Sequence, residues 1–80
     1  MKAIVTILPR SDVPDPAGEA IREQLYDLGS SDLRRVTVGK QVVLDFEGGD
    51  FSTVTERVKK LCQEFLVNDL LEEFTFKVEE

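Results

Sequence analysis

The chain has 80 residues, 41% of them hydrophobic and 32% charged, with 16 acidic against 10 basic side chains and a net charge of −6. That negative excess repels phosphate backbones and anionic lipid surfaces, which argues against nucleic-acid and membrane partners. There is no histidine, which removes the commonest general base and metal ligand along with every Ser-His or Cys-His arrangement, and the single cysteine, Cys62, excludes an internal disulfide.

Eighty residues make one domain over 1–80, with no low-complexity tract or linker. A domain this small buries only a little over ~60% of the surface its unfolded chain exposes, so oligomerisation is a natural source of further stability. The N-terminus runs directly into strand-like sequence, without an apolar region of signal-peptide or membrane-spanning length, so a cytoplasmic location is expected.

The first element is Ala3 to Leu8, rich in β-branched residues and stopped by Pro9. Both parities are apolar, as in a central strand or one covered on both faces. A polar link leads to Asp15-Pro16, an N-cap acceptor followed by the residue best suited to the first helical position. Ala17, Ala20, Ile21, Leu25 and Leu28 then recur at spacings of three and four, and Gly29 closes the helix. Gly18 in the first turn costs up to ~1 kcal/mol against alanine, which hints at a close neighbour.

The central stretch Val36 to Phe46 places Val36, Val38, Val42, Leu44 and Phe46 on one parity, interrupted by Gly39-Lys40. A two-residue hairpin there would split these residues between two faces. A bulged three-residue turn, or one long strand bending at Gly39, keeps them together, and the pattern leaves both open. The two strands are expected at Leu33–Val38 and Val42–Glu47, with Gly48-Gly49 as the turn out.

Asp50 or Ser52 can cap a second helix, whose apolar positions Phe51, Val54, Val58, Leu61, Cys62, Phe65 and Leu66 follow a 3.6 period. Asn68-Asp69 offers turn chemistry. Phe74, Phe76 and Val78 then mark a last strand with one apolar face. The order is β-α-β-β-α-β, or β-α-β-α-β if the middle strand is continuous. This is an α+β sandwich of ferredoxin-like type, with both helices on one face of an antiparallel sheet. Thr37, Asp45, Glu47, Thr75, Lys77 and Glu79 with Val43 would form the other face, a mixed surface suited to self-association or a partner rather than to stacking RNA bases.

The chemical groups mostly have plain readings. Cys62 lies on the helical apolar stripe and reads as a core thiol. Lys40 beside Gly39 suits a solvated turn or a contact to a phosphate or partner carboxylate. Neighbours such as Glu72-Glu73 and Glu79-Glu80 point to opposite faces and cannot converge on a metal, and Gly48-Gly49 lacks the surroundings of a phosphate loop.

Val13-Pro14-Asp15-Pro16-Ala17-Gly18, Leu25 to Gly29, Val36-Thr37-Val38-Gly39-Lys40, and Cys62 followed by Phe65-Leu66-Val67-Asn68 and Leu71-Glu72 together resemble the PurS family, the small subunits of phosphoribosylformylglycinamidine synthase. The likeness runs over essentially the whole chain. Its one visible departure is Asp69, where the family often has proline.

The resemblance implies a non-catalytic subunit that joins an ATP-dependent synthetase subunit to a glutaminase subunit in purine synthesis and supports ammonia transfer between them. It also implies self-association as a homodimer or homotetramer, no cofactor in this chain, and ATP and Mg used by the large subunit. No catalytic or metal-binding residue carries over. Gly39, Lys40, Asp15, Gly18, Asn68 and Glu72 are the expected partner-interface residues. The alternatives are a small-metabolite-binding regulatory module of ferredoxin-like fold and, less well supported, a stand-alone enzyme limited to Lys, Asp, Glu, Tyr26 and Cys62.

Overall fold

A computed structural model covers residues 1–80. Its elements are β1 (Lys2–Pro9), α1 (Pro16–Asp27), β2 (Lys40–Asp45), α2 (Phe51–Leu61), a π-helical turn (Cys62–Leu66) and β3 (Glu72–Glu79). The strands form one antiparallel sheet in the order β2-β1-β3. The fold is therefore α+β, and β1 takes the central place that its two apolar parities demand.

Opposite β1, Val5 pairs with Val42 on one side and Phe76 on the other, and Ala3 pairs with Leu44 and Val78. This register puts the apolar residues of all three strands on one face. Ala3, Val5 and Ile7 are buried there against Val54, Val58 and Cys62 of α2 and its continuation, with Val67 closing the cluster. Asp50 caps α2 by accepting the Thr53 amide at 2.7 Å. Phe46 packs against the core edge, and the Arg57 guanidinium lies 4.8 Å from its ring centroid.

Three details differ from the sequence reading. The expected strand Leu33–Val38 has no ladder partner, and the sheet has three strands. β1 reaches Pro9, and its last pairing with β2 is Ile7 opposite Lys40, so the residues before Gly39 overhang the end of the sheet. The chain passes from Leu33 to Gly39 without turn or bend, and Gly39 has no left-handed φ. No hairpin forms at Gly39; the extended run continues straight into β2 without the expected bend, so the element order is the β-α-β-α-β of the continuous alternative.

The second difference is that only α2 covers the sheet. Helix α1 makes little contact with the sheet or with α2. Its N-terminus is seated on the overhang instead, and the turn after Gly29 sends residues 33–38 back along it. Helix and extended run thus make a hairpin-like arm, and the molecule measures 49 × 25 × 15 Å. Because Thr37 lies in the arm and Glu47 beyond β2, the open sheet face is smaller than expected and comprises Ile4, Thr6, Val43, Asp45, Thr75, Lys77 and their neighbours.

The third concerns the end of the second helix. Val67 donates its amide to the Cys62 carbonyl at 3.1 Å, an i→i+5 bond. This wider turn shifts the helical phase, so Val67 points into the core and Phe65, expected inside, is 82% exposed.

Candidate functional site

The six residues singled out as interface candidates lie along one path around the Val36–Lys40 segment. At one end Asp15 caps α1, accepting the Gly18 amide at 3.0 Å through Oδ1. Its Oδ2 accepts the Val38 amide at 2.9 Å. The Val38 amide, then the Gly18 amide, hold the Asp15 carboxyl below its ordinary value, with a smaller pull from Arg35. One side chain therefore starts the helix and ties it to the overhanging strand.

Gly18 is the only buried residue of α1. A Cβ there would overlap the Val36 carbonyl oxygen and lie 2.9 Å from the Val36 carbonyl carbon. The close neighbour suggested by an unforced glycine is this backbone. Gly39 behaves alike: a Cβ would lie 2.5 Å from both the Ile7 carbonyl oxygen and Leu8 Cδ2. Both glycines allow backbones to approach where a side chain would hold them apart.

At the other end Lys40 and Glu72 flank β1, paired with Ile7 and Pro9 respectively. Both point to the helix side of the sheet, and Lys40 Nζ lies 3.5 Å from Glu72 Oε2, bridging over the end of β1. The Asn68 amide donates to Glu72 Oε1 at 2.9 Å and, with Lys40 adding to it, holds that carboxyl below its ordinary value. Asn68 Oδ1 accepts the Leu70 amide at 3.1 Å, and its carbonyl accepts the amides of Leu71 and Glu72. The turn is pinned further by Arg10 Nε, which donates to the Asp69 carbonyl at 2.8 Å. The Asp69 amide donates no hydrogen bond within the chain, so a proline at this position would remove none.

All six candidates thus have intramolecular tasks. They brace the sheet end and the arm, and the Lys40–Glu72 pair, being largely exposed on the lysine side, adds no more than about 1 kcal/mol. The side chains left free for contact are others. Leu28 is 83% and Leu70 84% exposed, Phe65 stands out on the π turn, and Tyr26, Ile21 and Leu25 line the arm. The sequence signal for these was present but pointed inward, because an amphipathic stripe reads as core-facing whether its cover comes from the same chain or another.

The largest concavity is an open groove of about 580 Å³ between residues 11–16, the first turn of α1 and Arg34–Val36. It is rimmed by both signs of charge, and Arg35 Nη1 spans it to the Ser11 carbonyl at 2.9 Å. Cys62 is fully buried, and burial pushes its thiol up from the ordinary value. No helix is long and apolar enough to cross a membrane.

Comparison with known proteins gives a consistent result. The profile of the family described as PurS, phosphoribosylformylglycinamidine (FGAM) synthase, matches residues 2–80. A PurS subunit from Thermotoga maritima is 34% identical over 73 residues, 91% of this chain and 89% of the relative. One from Synechocystis sp. is 32% identical over 69 residues, 86% of this chain and 69% of the relative. Among solved structures, Methanocaldococcus jannaschii PurS superposes with a TM-score of 0.84 at 29% identity, over 99% of this chain and 95% of that one. A chain in the structure of PurLQS from Thermotoga maritima superposes with a TM-score of 0.83 at 33% identity, over 95% of this chain and 93% of that one.

Proposed function

Since this chain belongs to the PurS family of FGAM synthase subunits in purine biosynthesis, we propose that it works without an active site of its own, holding the synthetase and glutaminase subunits of that ligase together and supporting ammonia transfer between them. The observation that carries this reading is the family match across residues 2–80, joined to the likeness to a chain of a PurLQS assembly. The state of the candidate residues supports it. Asp15, Gly18, Gly39, Lys40, Asn68 and Glu72 are engaged in holding the backbone, while large apolar side chains remain outside.

In this reading ATP and Mg are bound and used by the large synthetase subunit, and glutamine is hydrolysed by the glutaminase subunit. The small chain self-associates, acts in the cytoplasm, and presents Gly39-Lys40 and the braced turn at Asn68–Glu72 to its partners as a rigid platform. Rigid presentation lowers the ordering cost of association.

The test is reconstitution. The purified chain alone is expected to show no turnover, and adding it to the two larger subunits should restore glutamine-dependent FGAM formation. With an ammonium salt in place of glutamine, the synthetase subunit should work without it. Full glutamine-dependent activity from the two larger subunits alone would overturn the reading.

A further inference from the structure

Helix α2 ends in a way that exposes an aromatic ring. An ordinary α turn would keep Phe65 on the apolar stripe, whereas the i→i+5 bond from the Val67 amide to the Cys62 carbonyl leaves it outside. Wide turns of this kind are uncommon and occur frequently at functional sites. Five residues on, Leu70 also stands out in solvent, in a turn fixed by the side chain and carbonyl of Asn68 and by Arg10. Five residues span at most ~18 Å, so both side chains fall within one standard interface footprint of ~800 Å² per partner. Because the backbone beneath them is already held, association there carries little ordering cost.

Each of these side chains follows a carboxylate in the sequence, as Glu64-Phe65 and Asp69-Leu70. Residues 61–73 hold four acidic side chains (Glu64, Asp69, Glu72, Glu73) and no basic one, and so carry −4 of the chain's −6. Glu72 is paired with Lys40, whereas Glu64, Asp69 and Glu73 form no ion pair. Glu64 gains nothing from its own helix either, because the C-terminal end of a helix favours cations. Two exposed apolar side chains set among unpaired carboxylates match an apolar surface bordered by positive charge.

We propose that Phe65 and Leu70 are the anchors by which this chain docks on one of the two larger subunits, seated in an apolar pocket whose rim carries lysine or arginine side chains. A second copy of the chain is a poor occupant. A two-fold contact sets a patch against itself, so −4 would face −4, and like charges brought together across an interface weaken it. Anionic lipid and nucleic acid are repelled for the same reason. A basic-rimmed pocket instead uses both features, with the buried anchors supplying affinity and the opposite charges steering encounter and fixing register. This docking rests on the proposed adaptor role and adds to it the side chains that make the contact, while Asn68, Glu72 and Lys40 hold the turn in place.

The experiment titrates the 80-residue chain into a mixture of the two larger subunits, reading binding by calorimetry and glutamine-dependent FGAM formation in parallel. Phe65→Ser combined with Leu70→Ser should raise the half-saturating concentration in both readouts at least about thirtyfold, the effect of losing one hot-spot contact. The maximal rate, far-UV circular dichroism and urea midpoint should stay near native. Glu64→Lys combined with Asp69→Lys should weaken binding at least about tenfold and remove its salt dependence, whereas binding of the native chain should weaken as salt rises. If the serine variant does not fold, the lysine variant, altered only at exposed side chains without partners, decides the matter. Native-like binding by the folded variants would overturn the docking site and leave the adaptor role standing. A native chain that neither binds nor restores activity would overturn both. A serine variant that changed only the mass of the isolated chain in sedimentation equilibrium would also overturn the docking site, because a second copy would then be the occupant.

Discussion

Replacing Gly18 with alanine separates two effects of opposite sign. On helix propensity alone the change stabilises by up to ~1 kcal/mol, because alanine loses less backbone freedom than glycine. The arm reverses the sign. The new methyl would overlap the Val36 carbonyl oxygen, 2.9 Å from its carbon, and would sit 2.8 Å from Asp15 Oδ2. Favourable carbon contacts lie near ~3.5–4.0 Å, so the start of α1 must retreat by roughly 1 Å or find no relief. Retreat also pulls on the Asp15–Val38 hydrogen bond, now 2.9 Å. Overpacking of this kind costs typically ~1–3 kcal/mol, which offsets or exceeds the propensity gain and leaves a net loss of up to about 2 kcal/mol. Urea denaturation at one fixed protein concentration measures it, since self-association would make stability depend on concentration. Ala20→Gly, at an exposed position of the same helix, is the control and should lose up to ~1 kcal/mol through propensity. A Gly18→Ala variant more stable than the native chain, with the Val38 amide equally protected from exchange, would refute the close-approach argument.

Two further outcomes follow from the buried thiol and the braced carboxylates. Cys62 should react with a thiol reagent on the order of a thousandfold or more slowly in native buffer than in denaturant, because reaction requires opening the core; a native rate like that of free cysteine would contradict its burial. Asp15, Asp50 and Glu72 are held below their ordinary values by backbone amides, those of Val38 and Gly18, Thr53, and Asn68 respectively. A carboxyl with a lower value folded than unfolded adds stability that is complete above its unfolded value, near 3.8 for aspartate and 4.5 for glutamate, and that is lost as pH falls through the folded value. Stability contributed by these groups should therefore hold from pH 7 to about 5 and decline below about 4, and Asp15→Asn should flatten part of that decline. An Asp15→Asn variant with an unchanged acid limb in urea titrations at a series of pH values would count against this role for Asp15.

Much of this architecture is decided by neighbours in the chain. The β-branched run from Ala3 to Leu8, apolar on both parities, becomes the central strand, and Asp15-Pro16 and Asp50 start the two helices by satisfying their first free amides. The resemblance to PurS also rests on local order and spacing, and it extends over nearly the whole chain. The six expected interface residues do fall on one path, although what unites them in the structure is bracing of the backbone. Their part in contacting other subunits belongs to the proposal above.

Only the tertiary structure decided where the apolar faces go. A period of 3.6 or 2 says that a stripe is to be covered and does not say by what, so Ile21, Leu25 and Leu28 read as core and lie instead on an uncovered arm. The strand expected at Leu33–Val38 has the right alternation, but a ladder needs a neighbour, and the pairing of β1 with β2 stops at Ile7 opposite Lys40, with β1 itself ending at Pro9. Phe65 turns outward because one i→i+5 bond shifts the helical phase, an event with no local signature in the residues before it. Alternation and caps set what each segment can become, while strand length and backbone approach at Gly18 and Gly39 determine which segments meet within one chain and which are left for another.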